Sequence, residues 1–322
     1  MRIVFFGSGE FALPTFDSLT YDGHEVALVV TQPDKVRGRG KETSPTIIKQ
    51  AAIEAKLPVI TPVEVNSTEV VAQIRAVDAE LAYVAAFGQK IGAQLLTAFP
   101  AGIVNLHASL LPRWRGAAPI QWAVMSGDVE TGVTVFRLVE KMDAGPILIQ
   151  RRTVIGDLET ADELHDRLAR VGCDAVRATL ELLKSRPDHP GIPQEESKAT
   201  LAPKLKKADG RISFDMPAKM LAQRICGLWS WPGAACRFVS ADGKRDEQVT
   251  LARARPYEGG DSRPDSPEDL GKLSNVLSLQ TAGGALEILE INPAGGALME
   301  WRDFVNGRHI KPGDRFLPLD PA

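Results

Sequence analysis

An asparagine and a histidine stand two residues apart at the end of a short apolar run. The run Gly102 to Asn105 predicts a strand, and side chains two residues apart on a strand point to the same face, so Asn105 and His107 are expected side by side. An amide can donate a hydrogen bond to a developing oxyanion, and a neighbouring imidazole can move a proton. Acyl or formyl transfer requires both actions. A histidine at a strand end is more often structural, so the interpretation depends on what surrounds the pair.

The elements around this pair predict a doubly wound α/β domain with a mostly parallel, Rossmann-like sheet. Short apolar runs alternate with segments of helical periodicity, which is typical of a sheet covered by helices on both faces. The predicted strands are Arg2 to Phe6, Glu25 to Thr31, Ala79 to Ala86, Gly102 to Asn105 and Val133 to Leu138. The predicted helices are Ser44 to Lys56 with Ser44 as N-cap, Ala117 to Met125, and Thr160 to Leu183. Ligands bind at the carboxyl ends of such strands, where Asn105 and His107 lie.

A change in amino-acid composition predicts a second domain. The stretch SRPDHPGIPQEES holds three prolines and several polar residues, which is typical of a linker. One helix is predicted in SFDMPAKMLAQRICGLW, and the short apolar runs that follow, separated by Gly, Asp and Pro, predict a small antiparallel barrel or sandwich. We therefore expect a first domain over 1–188, a linker over 189–203 and a second domain over 204–322.

The composition indicates a folded protein and argues against several classes. With 44% hydrophobic and 25% charged residues the chain can bury a core, and a net charge of −3 disfavours a generic nucleic-acid binder. The N-terminus lacks the pattern of a signal peptide, and no apolar run reaches the roughly 18 residues of a membrane span. The three cysteines have no CxxC spacing, so neither a disulfide framework nor a zinc site is expected. We expect a cytoplasmic protein that binds no metal and no membrane.

The turn Gly7-Ser8-Gly9 follows the first predicted strand, where a dinucleotide could bind. The third glycine of the fingerprint is replaced by Ala12, and no acid ends the second strand. A nicotinamide-dependent enzyme is therefore a weak alternative.

Two longer segments carry a resemblance to a known family. NLHASLLPRWRGAAPIQWA at 105–123 and TGVTVFRLVEKMDAGPIL at 131–148 resemble the signature of formyltransferases that use 10-formyltetrahydrofolate as co-substrate. The resemblance implies a catalytic set of Asn105, His107 and Asp143. Asn105 and His107 would donate hydrogen bonds to the oxyanion, while Asp143 would orient His107 and accept the proton lost by the attacking amine. It also implies folate contacts from the backbone of Phe87, Gly88 and Gln89, from the loop Ser109, Leu110, Leu111 and Pro112, and from Val139.

Two basic segments bear on the formyl acceptor. TQPDKVRGRGKETSP at 31–45 presents Arg37, Arg39 and Lys41 on a Gly-rich loop that could contact RNA phosphates, and Lys204, Lys206 and Lys207 open the second domain. Both could also be ordinary solvated surface.

The resemblance to methionyl-tRNA formyltransferases continues through LAQRICGLWSWPGA and ILEINPAGGALMEWRDFVNGR. It implies that 1–188 is a formyltransferase catalytic domain and 204–322 an OB-like tRNA-binding barrel. The implied activity is transfer of the formyl group to the free amino group of initiator methionyl-tRNA. The chain departs from the pattern at GSGEFA, and at Gly296 and Ala297, where relatives often carry two lysines.

Other functions stay open at this point. An amino-sugar nucleotide formyltransferase is the main alternative, and a non-catalytic RNA-binding protein on the same fold is another. We expect a monomer whose partners are tetrahydrofolate and tRNA, and not DNA.

Overall fold

The computed structural model describes residues 1–37, 42–259, 264 and 266–319. The chain forms two compact units. Unit 1 comprises Met1–Gly116, Thr131–Thr153 and His165–Leu201, and unit 2 comprises Ala117–Glu130, Val154–Leu164 and Ala202–Ala322. The segments 117–130 and 154–164 thus belong to unit 2, although the predicted boundaries lay at 188 and 204. The predicted domain boundaries at 188 and 204 stay a prediction.

Strands and helices follow in chain order. Within the described residues the strands are β1 Arg2–Gly7, β2 Glu25–Val30, β3 Lys35–Arg37, β4 Glu42–Ser44, β5 Val59–Ile60, β6 Leu81–Ala85, β7 Ile103–His107, β8 Arg115–Gly116, β9 Glu130–Arg137, β10 Ile147–Val154, β11 Leu201–Ala202, β12 Ala234–Val239, β13 Asp246–Pro256, β14 Leu279–Thr281, β15 Gly284–Pro293, β16 Met299–Glu300 and β17 Arg315–Pro318. The helices are α1 Leu13–Tyr21, α2 Ile47–Glu54, α3 Thr68–Arg75, α4 Ala93–Leu96, α5 Pro119–Met125, α6 Ala161–Ser185, α7 Ala218–Leu228 and α8 Trp301–Arg308.

Unit 1 is built on a seven-stranded sheet with the order β10-β9-β7-β6-β1-β2-β5. Strands β7, β6, β1, β2 and β5 pair in parallel, and β9 pairs antiparallel with β7. Every residue of β6 is buried, because helices cover both faces of a parallel sheet. These features confirm the predicted doubly wound, mostly parallel class. Since β1 lies between β2 and β6, the strand order reverses at β1, and the carboxyl ends of β1, β6 and β7 line the crevice where ligands bind in such folds.

The Gly7-Ser8-Gly9 turn is fixed by contacts within this sheet edge. The Gly9 N–H donates to the Ala86 carbonyl at 3.2 Å, and the Ser8 hydroxyl donates to the Phe87 carbonyl at 3.1 Å. A Cβ on Gly7 would lie 2.5 Å from the Phe5 ring, so the glycine is required by packing. These contacts give the turn a structural role.

One predicted helix start is wrong. Ser44 is the last residue of β4, and α2 begins at Ile47 with Thr46 as its N-cap, whose hydroxyl accepts from the Lys49 N–H at 3.1 Å. Ser44 pairs with Lys35 across the β3–β4 hairpin, and this pairing holds it in a strand.

Unit 2 contains an antiparallel sheet with the order β14-β15-β13-β12-β17, and β16 also pairs with β15. Two register shifts around Arg253 interrupt the β13–β15 pairing, and such bulges bend a sheet. The segment at Lys272 and Leu273 bridges to Arg315 in β17 and to Leu279 in β14, so it joins the two ends of the sheet. The result is a nearly closed barrel, which the resemblance implied and which is one of the two architectures predicted from the apolar runs.

Helices α5 and α7 pack within unit 2. A Cβ on Gly227 would lie 2.4 Å from the Met125 side chain, so glycine allows the two helices to approach closely. Ala118 is buried in the same core as the barrel strands, with Trp122 and Met125 packed against it. Among the described residues, no helix is both long enough and apolar enough to cross a membrane.

Candidate active site

Asn105 and His107 lie at the carboxyl end of β7, as expected. Asn105 pairs with Val84 of β6 and with Phe136 of β9, and His107 pairs with Thr134. The Asn105 amide is half-buried and has no hydrogen-bond partner in the part of the chain that the structure describes. It is therefore available to a ligand at the edge of the sheet.

The loop after β7 holds the His107 ring in one orientation. Its Nε2 lies 2.8 Å from the Trp114 carbonyl oxygen, and the residue is only 7% exposed. Because a carbonyl can only accept, Nε2 carries a hydrogen, so Nδ1 is the ring nitrogen that can take up or release a proton. Trp114 adopts a left-handed φ of 63°, and the Ser109 hydroxyl donates to the Arg113 carbonyl at 2.6 Å, so the loop has a defined conformation.

Asp143 faces the free nitrogen of this ring. Its Oδ2 lies 3.8 Å from His107 Nδ1 and accepts the Gly116 N–H at 2.8 Å. The Asp143 side chain is 13% exposed and the His107 side chain 8%, so their interaction is only weakly screened by water. The distance exceeds that of a hydrogen bond, and the pair attracts electrostatically once the ring is protonated.

The structure thus brings together the three residues of the expected catalytic set. An amide, an imidazole and a carboxylate at one sheet edge can polarise a carbonyl oxygen, hold the charge that develops there and take up a proton. The assignment of Asn105, His107 and Asp143 as catalytic stays a prediction. In the described ranges, no group of three or more His, Cys, Asp or Glu side chains is arranged to hold a metal ion.

The expected folate residues after β6 have mixed surroundings. Phe87 is 2% exposed and packs edge-to-face on Phe6 at 5.3 Å. The Gln89 amide accepts from the Val65 N–H and donates to the Pro62 carbonyl. Both side chains therefore support the fold, and Gly88, with φ 84°, leaves only backbone groups at this point for a ligand.

The second expected folate loop is anchored by Thr134. Its hydroxyl donates to the Ser109 carbonyl at 2.7 Å and accepts from the Leu111 N–H at 3.1 Å. Leu110 and Pro112 are half-buried, and Val139 is 38% exposed beyond the end of β9. The role of these residues in folate binding stays a prediction.

The expected RNA contacts lie in both units. Arg39 and Lys41 fall outside the described residues, and Arg37 ends β3. Lys204, Lys206 and Lys207 are exposed and flank Leu205, which is 4% exposed in the core of unit 2. The buried leucine anchors a segment whose lysines face solvent.

The sequence analysis missed Arg115 and Gln194, which lie beside Asp143. Arg115 is 4% exposed, and its guanidinium donates to Gln194 and to both carboxylate oxygens of Glu196. Hydrogen bonds from Lys141 and from Arg115 lower the pKa of Glu196. The available signal was the charge of Arg115 itself, in the loop that follows His107. A charged side chain that becomes buried needs partners nearby.

Comparisons with known proteins place these observations in a family. A family model described as formyl transferase matches residues 1–180, and one described as formyl transferase, C-terminal domain, matches residues 204–309. The chain is 38% identical to a methionyl-tRNA formyltransferase of Solibacter usitatus over 98% of both chains. It is also 38% identical to one of Heliobacterium modesticaldum, over 98% of this chain and all of the relative.

Two solved structures share the fold at low identity. HypX from Aquifex aeolicus, in complex with tetrahydrofolic acid, has a TM-score of 0.62 and 18% identity over 97% of this chain and 48% of that chain. WlaRD, a sugar 3N-formyl transferase, has a TM-score of 0.62 and 13% identity over 91% of this chain and 97% of that chain. The two domain matches and the full-length relatives show that the chain belongs to the formyl transferase family.

Proposed function

We infer that the protein transfers the formyl group of 10-formyltetrahydrofolate to the free amino group of initiator methionyl-tRNA. The observation that carries this inference is the likeness to methionyl-tRNA formyltransferases over 98% of the chain, which extends through unit 2. Asn105, His107 and Asp143 are present together in unit 1 and supply the groups that formyl transfer needs. We further propose a cytoplasmic monomer that has no DNA partner.

The folate co-substrate supplies a formyl carbon on N10, which the methionyl amine attacks. The donor set at the sheet edge fits this group, because the Asn105 amide has no partner among the described residues and can donate to the formyl oxygen as negative charge develops. Neutral His107 presents Nδ1, which can take the proton released by the amine. Once protonated, Nδ1–H faces Asp143 at 3.8 Å, and the carboxylate stabilises the imidazolium.

Both possible roles of His107 would use one atom. Since Nε2 is engaged by the Trp114 carbonyl, proton uptake and donation to the oxyanion both use Nδ1. We propose that His107 Nδ1 takes the proton of the attacking amine, donates to the oxyanion while the ring is charged, and returns the proton to N10 as the bond between N10 and the formyl carbon breaks and tetrahydrofolate leaves.

The basic segments support tRNA as the acceptor. Lys204, Lys206 and Lys207 present three exposed charges on unit 2, and each contact with a phosphate adds salt-sensitive affinity without sequence preference. Arg37, Arg39 and Lys41 would add contacts from unit 1. Discrimination between charged and uncharged tRNA would come from the amine itself, since only methionyl-tRNA presents one to the formyl carbon.

The first test measures formyl transfer to charged initiator methionyl-tRNA, to uncharged tRNA and to an amino-sugar nucleotide, each at two salt concentrations. We expect transfer to the charged tRNA only, weakening as salt rises. Transfer to the sugar nucleotide alone would overturn the tRNA assignment and would leave a formyltransferase of another specificity.

A paired variant tests the lysines. Lys206→Gln with Lys207→Gln should raise the KM for tRNA and lower the slope of log affinity against log salt by about 1 to 2. The matched control changes two exposed lysines elsewhere in unit 2, Lys244→Gln with Lys311→Gln, and should leave the slope unchanged. Equal slopes in both pairs would remove the 204–207 segment from the interface.

A further inference from the structure

We propose that Gln194, together with Arg115, positions the carboxylate of Asp143 for catalysis, an inference that rests on the proposed function. Gln194 lies in the proline-rich stretch 189–203. Its Nε2 donates to the Asp143 carbonyl and to the Gly145 carbonyl, each at 2.8 Å. One side-chain amide therefore holds both ends of the Asp143–Gly145 turn.

The other end of the same amide is held by Arg115. The Gln194 Oε1 accepts from Arg115 Nε at 3.1 Å and from Nη2 at 2.8 Å. Both amide N–H groups and both lone pairs of the oxygen are thus in use. A glutamine this completely bonded has a single orientation, and it can fix the distance between the two segments that it joins.

These bonds form a closed ring around Asp143. Gln194 binds the main chain of Asp143 on one side and the side chain of Arg115 on the other. The next N–H along the chain, that of Gly116, donates to the Asp143 carboxylate at 2.8 Å. The ring therefore sets where the carboxylate lies relative to His107.

Asp143 needs such support because its backbone is strained. Its φ of 49° lies in the left-handed region, which is uncommon for residues other than glycine, although aspartate adopts it more often than most. A turn freed from Gln194 could relax toward an ordinary φ and carry the carboxylate away from His107 Nδ1. Even a shift of about 1 Å can slow a positioned reaction by about a hundredfold.

The stretch that contains Gln194 is anchored independently of that side chain. The Ile192 N–H donates to the Ile147 carbonyl at 2.7 Å, and the Ile147 N–H donates back at 2.8 Å. Further along, the Arg115 N–H donates to the Thr200 carbonyl at 2.9 Å, and the Trp114 N–H donates to the Thr200 hydroxyl at 2.9 Å. Truncation of Gln194 should therefore leave the chain path intact.

Two substitutions separate the donor role of Gln194 from its packing. Gln194→Ala removes the whole amide. Gln194→Glu keeps the shape and the contact with Arg115 but turns a carboxylate oxygen toward the carbonyls of Asp143 and Gly145. We expect kcat for formyl transfer to fall by about 10- to 100-fold in both, with little change in KM for either substrate. The control, Glu195→Ala, removes a neighbouring exposed side chain and should leave kcat unchanged.

A double-mutant cycle with Asp143→Asn provides the readout that a merely structural role would not give. If Gln194 acts through the Asp143 carboxylate, adding Gln194→Ala to Asp143→Asn should cost less than about threefold more in kcat. Losses that multiply in full would overturn the proposal, as would a normal kcat in Gln194→Glu.

The same measurements separate this proposal from the proposed function. Wild-type protein that does not formylate methionyl-tRNA would overturn the proposed function, and the variants would then be compared on whichever acceptor the wild type uses. Active wild type with unchanged Gln194 variants would overturn only the positioning role. Circular dichroism and the urea midpoint verify that each variant is folded.

Discussion

Replacing the Asp143 carboxylate by an amide tests the electrostatic part of the mechanism. Asp143→Asn keeps the size of the side chain and retains an oxygen that can accept the Gly116 N–H. It removes the negative charge that faces His107 Nδ1 at 3.8 Å. The fold should survive, and the loss should appear only when the imidazole becomes positively charged.

The expected loss follows from this distance. Two unit charges 3.8 Å apart interact by about 4 kcal/mol at an effective dielectric constant of about 20, which suits a site that is only partly shielded from water. A full charge on His107 in the transition state would therefore make Asp143→Asn about a thousandfold slower, and a partial charge would give a smaller loss. The expected range is about 100- to 1000-fold in kcat.

The assay is single-turnover formyl transfer to methionyl-tRNA at saturating folate, with folate binding followed separately by fluorescence. The dissociation constant for folate should stay within about threefold of wild type, because the Asp143 charge is expected to act in the transition state and not on the bound folate. The matched control is Asp166→Asn, which removes a carboxylate 3.0 Å from His165 on the surface of α6 and should not change the rate. A loss below about tenfold in Asp143→Asn would refute the charge-stabilising role.

Three further predictions concern stability. Hydrogen bonds from Arg253 hold the pKa of Glu163 at about 2, below its ordinary value near 4.5, so this pair should stabilise the fold above pH 4.5 and lose that effect as the pH falls toward 2; urea midpoints should record the fall, and Glu163→Gln should flatten it. Gly132→Ala places a Cβ 2.0 Å from the Arg151 carbonyl oxygen and should lower the free energy of unfolding by about 1–3 kcal/mol. An unchanged free energy of unfolding would contradict this expectation. Thr134→Val removes a buried hydroxyl and leaves its backbone partners unpaired, so it should cost about 1–3 kcal/mol in urea unfolding and weaken folate binding; a variant as stable as wild type would contradict this accounting.

Local patterns in the sequence predicted the framework of the site. Apolar runs located the central strands, and the spacing of Asn105 and His107 placed both at a strand end, where the structure has them. The glycine-rich turn after β1 was equally visible, but its docking on the Ala86 carbonyl was not, because that contact joins residues far apart in the chain.

Long-range bonds account for what the sequence could not predict. The contact of Gln194 with the Asp143 turn spans 51 residues, and no local pattern marks it. Ser44 has the residue type of a helix cap, yet pairing with Lys35 holds it in a strand. Asp143 was identified only by resemblance, since its left-handed turn has no glycine to signal it.

The assignment of α5 to unit 2 bears on how the chain folds as it is synthesised. Ala118 belongs to a core whose other strands and helices come almost entirely from residues after 202. The core extends to Phe316, about 190 residues after the end of α5, so at a ribosomal rate of about 5–20 residues per second the apolar face of α5 is made roughly 10–40 s before that core can be completed. During this interval the nascent chain exposes an apolar, aggregation-prone surface of the kind that chaperones bind. A fragment that ends before the barrel would keep that surface exposed permanently.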